Sequence, residues 1–215
     1  MAVMNKLTEI GLIIVSLAIG FLTFYLLSDL SKDMKKKQID ELLSQLINFV
    51  ILVWVGKIVI NLQTFIIDPF SVLAYPSDSK AFYFAVAAIT FILLYKRIRK
   101  NFDLITFIHS FIYVFLFGSF VYEFIEVVFY NHPFAIGQLI LISILIAIFL
   151  FIKTRFKVID QIFILLTSLT IGILILIFNQ PFITVFNYTI DLWFVVLFYL
   201  VNSIGLMIYK RKRDT

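Results

Sequence analysis

One lysine and two glutamates sit inside apolar runs of this chain, where a charge is expensive and therefore informative. Lys57 interrupts Val-Trp-Val-Gly-Lys-Ile-Val-Ile, and Glu123 and Glu126 interrupt Val-Tyr-Glu-Phe-Ile-Glu-Val-Val. A spacing of three puts both carboxylates on one helix face. A charge at the centre of a bilayer costs about 2.5–3.5 kcal/mol on insertion scales, so these groups are expected to face protein rather than lipid. Two chemistries follow. Lys57 can pair with Glu123 or Glu126 as a structural ion pair, or snorkel to the headgroups. Alternatively the three groups line a polar cavity, an idea favoured by the second carboxylate, which one lysine cannot neutralise.

The remaining polar groups point to less. His109 reads as a histidine satisfied within its helix. Thr167, Ser168 and Thr170 are spaced to bond back to their own helix carbonyls, and Asn202 and Ser203 to glue helices together. No His-x-x-x-His pair, nucleophile–base pair, phosphate loop or redox motif occurs, and there are no cysteines. These residues call for no metal and no cofactor, and on their own they give no enzyme.

The elements that must hold these groups are written in the hydropathy. A mean hydropathy of +1.06 with only 14% charged residues marks an integral membrane protein, and 215 residues suit one domain. Spanning helices need about 20 apolar residues. They are expected at 8–28, 42–62, 81–97, 103–127, 134–152, 158–178 and 187–208, an all-α bundle of seven. The first run lacks a small-residue cleavage site and ends in lysines, so it is expected to be retained.

All Lys and Arg residues except Lys6, Lys57 and Lys80 fall in four clusters, which follow the first, third, fifth and seventh helices. Basic short loops face the cytoplasm, so the N-terminus is expected outside and the C-terminus inside. With that topology Lys57, Glu123, Glu126, Tyr83 and Asp191 all fall at the outer ends of their helices. The net charge of +5 then reads as topology and anionic-headgroup attraction, not as nucleic-acid binding. The connection 63–80, with Pro69 and Pro76, is too apolar for a free loop and is expected to lie along the outer headgroups. Richness in Ile, Phe, Lys and Asn suggests an AT-rich bacterial genome, and a bacterial cytoplasmic membrane is the expected location.

The order of motifs resembles a known family. Val55-Gly56-Lys57 in the second helix is followed by Asp68-Pro69 in the outer stretch. Phe82-Tyr83-Phe84-Ala85 opens the third helix, Tyr122-Glu123-Phe124-Ile125-Glu126-Val127 closes the fourth, and His132-Pro133 opens the fifth. This resembles prolipoprotein diacylglyceryl transferase, the seven-helix enzyme that moves diacylglycerol from phosphatidylglycerol to a lipoprotein cysteine. The resemblance covers nearly the whole chain, without the family's extracytoplasmic head domain.

The catalytic pattern departs from the family. Tyr83 stands at its histidine, Lys57 at the arginine of Gly-Gly-Arg, and Glu123 and Glu126 at the arginine and asparagine of Gly-Arg-x-Gly-Asn-Phe. Asn131 replaces an acidic residue, His132-Pro133-Phe134-Ala135-Ile136-Gly137-Gln138 replaces His-Pro-Ser-x-Leu-Tyr-Glu, and the sixth-helix arginine falls at about Gly172. Arginine holds a lipid phosphate bidentately, and a glutamate repels it. A phenol keeps its proton too firmly at neutral pH to stand in for a histidine base.

The expectation is a catalytically inactive relative with an outer cavity at Lys57, Tyr83, Glu123, Glu126, Asn131, His132 and Asp191. It would bind a lipid such as phosphatidylglycerol, a lipoprotein, or another membrane protein. Two alternatives stand beside it. One is a divergent active phospholipid-dependent transferase; the other is a small transporter, against which the apolar inner helix halves speak.

Overall fold

Helix formation in this chain is decided by hydrophobic length and ended by specific caps. The computed structural model describes residues 2–74, 78–132 and 134–214, with side chains for 8–72, 78–132 and 134–211; Pro76 and Pro133 lie outside them. In chain order come α1 (Ala2–Leu27), α2 (Lys32–Ile60), α3 (Leu62–Ile67), α4 (Pro69–Ala74), α5 (Ser79–Lys100), α6 (Leu104–Phe129), α7 (Ala135–Lys153), α8 (Val158–Asn179), β1 (Thr184–Val185), β2 (Tyr188–Thr189) and α9 (Leu192–Asp214). Among the described residues seven helices are long and apolar enough to cross a membrane. The protein is a multi-pass membrane protein.

Several boundaries differ from expectation. The second spanning helix starts at Lys32, ten residues before 42, because Ser31 caps it by accepting from Met34 N–H at 3.4 Å and the lysines after it are good helix formers. At 29 residues and about 1.5 Å each, α2 outruns a hydrocarbon core of about 30 Å. The last helix starts at Leu192 rather than 187, since residues 183–190 form a β-hairpin. The stretch 63–80 holds α3 and α4, whose Ile66, Ile67 and Phe70 are exposed. Asp68 caps α4, accepting from Ser71 N–H at 3.2 Å, with Pro69 at the first helical position where its missing N–H costs nothing. Asp78 caps α5 in the same way, accepting from Ala81 N–H at 2.9 Å.

The chain divides into two compact units, Ser31–Phe107 and Met1–Leu30 with Ile108–Thr215. In the first, α2 and α5 pack antiparallel. Gly56 lets them approach, because a Cβ there would lie 2.9 Å from Phe84 and 3.2 Å from the Ala81 carbonyl. At the other end Lys96 Nζ meets Glu41 Oε1 at 2.5 Å, and Gln45 Nε2 donates to the same oxygen at 2.7 Å.

In the second unit α1 and α6 cross at small residues. A Cβ on Gly20 would lie 2.5 Å from the Val114 carbonyl, and one on Gly118 3.3 Å from the Ser16 carbonyl. Close backbone approach of this kind is how helices gain packing in lipid, where the hydrophobic effect gives them nothing. Below the crossing Phe24, Tyr113 and Phe149 are buried to 1% exposure or less, with ring centroids 5.8 and 4.6 Å apart in edge-on contact. α7 and α8 also pack closely, since a side chain at Gly172 would overlap Leu141. The basic end is tied by Lys153, which reaches the Leu27 carbonyl at 2.6 Å and Asp29 at 2.9 Å, and by Lys210 with Asp160 at 2.7 Å.

Candidate functional site

The end of the second unit opposite its ion pairs carries the polar chemistry. α6 is stopped there by Asn131, which takes a left-handed conformation (φ 49°), a role Asn tolerates better than most residues. The reversal lets His132 N–H reach the Glu126 carbonyl at 3.2 Å. Glu123, two turns before the stop, is 5% exposed. Glu126 is half-buried, with the Tyr122 hydroxyl and the His132 imidazole as neighbours.

The hairpin closes this end. Thr184 pairs with Thr189 and Val185 with Tyr188. The two turn residues, Phe186 (φ 47°) and Asn187 (φ 71°), are both left-handed, the turn pattern that matches hairpin twist. Asn accepts this conformation; a bulky Phe does so only when its surroundings hold it. Here the Phe186 ring lies 5.3 Å from Tyr122 and 6.2 Å from Phe115, edge-on to each. Asn187 Nδ2 donates to Glu9 Oε2 at 3.3 Å. The hairpin is thereby fastened to α1 and α6.

Gln138 on α7 joins the hairpin to Glu123. Its amide orientation follows from its neighbours: the nitrogen lies 2.6 Å from the Thr184 carbonyl and 3.3 Å from Glu123 Oε1, and the oxygen accepts from Thr184 Oγ1 at 3.2 Å. Gln138 thus satisfies an edge carbonyl of the hairpin, which could not be left bare away from water. Between these groups is a cavity of about 40 Å³, lined by Ser119, Tyr122, Glu123, Gln138, Phe115 and Phe186 and by aliphatic side chains of α7 and α8. At about 10–15 Å³ per water-sized sphere, it admits a few waters or one small group. No lysine, arginine or histidine lines it among the described residues.

The expected site residues distribute as follows. Glu123, Glu126, Asn131 and His132 gather at this end of the second unit. Asp191 is exposed beside the start of α9, where it accepts from the Trp193 indole at 3.2 Å, an N-terminal anchor rather than a cavity wall. Lys57 and Tyr83 are buried on α2 and α5 and belong to the Ser31–Phe107 unit.

His109 is satisfied structurally. Gln161 spends both amide hydrogens on the Lys153 and Phe156 carbonyls, at 3.0 and 2.7 Å. Its oxygen therefore accepts from His109 Nε2 at 3.0 Å. Thr167 and Thr170 bond back to the Phe163 and Leu166 carbonyls at 2.9 Å.

Ser119, Gln138, Thr184 and Phe186 escaped sequence reasoning. Gln138 had a signal, since it falls at the glutamate of the resembled motif. Phe-Ile-Thr-Val-Phe-Asn-Tyr-Thr-Ile had another, an aromatic and β-branched run with a turn residue at its centre. Compared with known protein families, characterised proteins and solved structures, the chain matches none.

Proposed function

We propose that this protein is a non-catalytic binding protein of the bacterial cytoplasmic membrane, a relative of the prolipoprotein diacylglyceryl transferases whose site has been rebuilt. Its basic helix ends face the cytoplasm, in keeping with the positive-inside rule. The Glu123 end of the second unit faces outward and holds a lipid or a membrane partner.

The observation that carries this reading is Glu123. It is a buried carboxylate in a small cavity without a cation among its lining residues, at the position where the resembled family has a phosphate-binding arginine. Gly172, where that family has a second arginine, has its side-chain space filled by Leu141. Phosphate binding and proton abstraction both lose their residues, and the buried polar network remains.

The test is purification from the native membrane in mild detergent, followed by native mass spectrometry. A lipid or protein bound in fixed ratio to the wild type, and lost from Glu123→Gln at unchanged folding, is expected. Restoration of lipoprotein modification in a strain without its own transferase, abolished by Glu123→Gln, would overturn the reading in favour of an enzyme.

A further inference from the structure

The cavity at Glu123 has the composition of a cation receptor. Three aromatic side chains, Phe115, Tyr122 and Phe186, line it together with one carboxylate. Phe186 stands at 81° to Phe115 and 72° to Tyr122, so the rings form walls in different planes rather than a stack. Ring faces attract cations within about 6 Å of their centroids, most strongly when water is excluded. Ser119 and Gln138 add neutral polar atoms to the same lining.

Other ligand classes fit poorly. An anion would meet Glu123 and no positive charge. Calcium and magnesium sites draw on carboxylates to balance the doubly charged ion, and this lining holds one carboxylate. An ammonium needs one anionic acceptor, one or two neutral acceptors and apolar or aromatic walls. The strained left-handed Phe186 places the third of those walls, at a backbone conformation this residue type rarely adopts.

We infer that this cavity binds the ammonium group of a primary amine, seated against Glu123 and Ser119 and enclosed by Phe115, Tyr122 and Phe186. The inference rests on the binding-protein reading and names its ligand chemistry. The amine can be an aminophospholipid headgroup or a free alkylamine, since the recognised group is the same. A primary ammonium brings N–H donors for the Glu123 carboxylate and the Ser119 hydroxyl, which a quaternary ammonium lacks.

The test uses the full chain purified into nanodiscs of phosphatidylglycerol, with thermal unfolding followed during titration with ethylammonium chloride against sodium chloride at equal ionic strength. Ethylammonium is expected to raise the unfolding midpoint in a saturable way, and tetramethylammonium to leave it where sodium does. Glu123→Gln should abolish the effect. Phe186→Leu, which keeps an apolar side chain, should weaken ethylammonium binding about tenfold by removing one ring.

Nanodiscs containing phosphatidylethanolamine separate the sources. A raised apparent Kd for ethylammonium there identifies the lipid headgroup as the competitor, and an unchanged Kd identifies a free amine. Absence of any ethylammonium effect, or an equal effect in Glu123→Gln, overturns the inference. The membrane-binding reading survives that result if a lipid or partner still copurifies in a Glu123-dependent way.

Discussion

Gly20 and Gly11 lie on the same helix and should respond to alanine with opposite signs. At Gly20 a methyl group would sit 2.5 Å from the Val114 carbonyl and 3.2 Å from Gly118 N. Both obstacles are backbone, so α1 and α6 must separate by several tenths of an ångström. A gap of about 0.5–1 Å forfeits a quarter to a half of each dispersion contact across the crossing, and overpacking of this kind costs about 1–3 kcal/mol. Alanine recovers about 0.5–1 kcal/mol through the lost flexibility of glycine. Gly20→Ala should therefore destabilise by about 1–2 kcal/mol. At Gly11 nothing lies within 4 Å, so Gly11→Ala keeps the gain and loses nothing. Unfolding of both variants in mixed micelles, titrated from mild detergent to dodecyl sulfate and followed by circular dichroism, measures the difference directly. Equal midpoints for the two variants would refute the close α1–α6 crossing and, with it, the placement of the helix that carries Glu123.

Three further outcomes follow from single contacts. Gln138→Leu strips the Thr184 carbonyl and Glu123 of their shared donor and should destabilise by about 1–3 kcal/mol; hydrogen exchange should show the loss confined to 183–190. Gln161→Leu leaves His109 and the carbonyls of Lys153 and Phe156 without their bridge. A similar loss is expected there, measured as a lower unfolding midpoint, while ethylammonium titration stays unchanged. Asp78→Ala removes the α5 cap and should cost about 1 kcal/mol, whereas Asp78→Asn, which caps equally well, should cost little; thermal melting of the pair separates capping from charge.

Hydropathy was enough to place the seven long helices, because an apolar run of spanning length has few other uses. Where the chain leaves hydrocarbon, that signal fails. The first ten residues of α2 are too polar to register as a span, yet they continue the helix from the Ser31 cap. The hairpin sits in a segment short enough to pass for a loop, and its left-handed Phe186 breaks the usual rule for turn residues. Glu123 and Glu126 were legible as costly charges on one helix face. That Gln138 and Thr184 meet Glu123 was not legible, because contacts between α6, α7 and the hairpin depend on how distant segments pack. Asp68-Pro69 reads in the structure as a helix cap and its first turn, a local reason sufficient for that dipeptide whatever its ancestry.

The hairpin also bears on how the protein matures. A helix enters a bilayer with its backbone already satisfied, but two short strands with open edges cannot. Residues 183–190 lie just before α9, and their shape depends on Glu9 of α1, Phe115 and Tyr122 of α6 and Gln138 of α7. Those helices must have met before the turn at Phe186 and Asn187 can hold. The cavity at Glu123 is therefore complete only when α1, α6, α7 and the hairpin have come together.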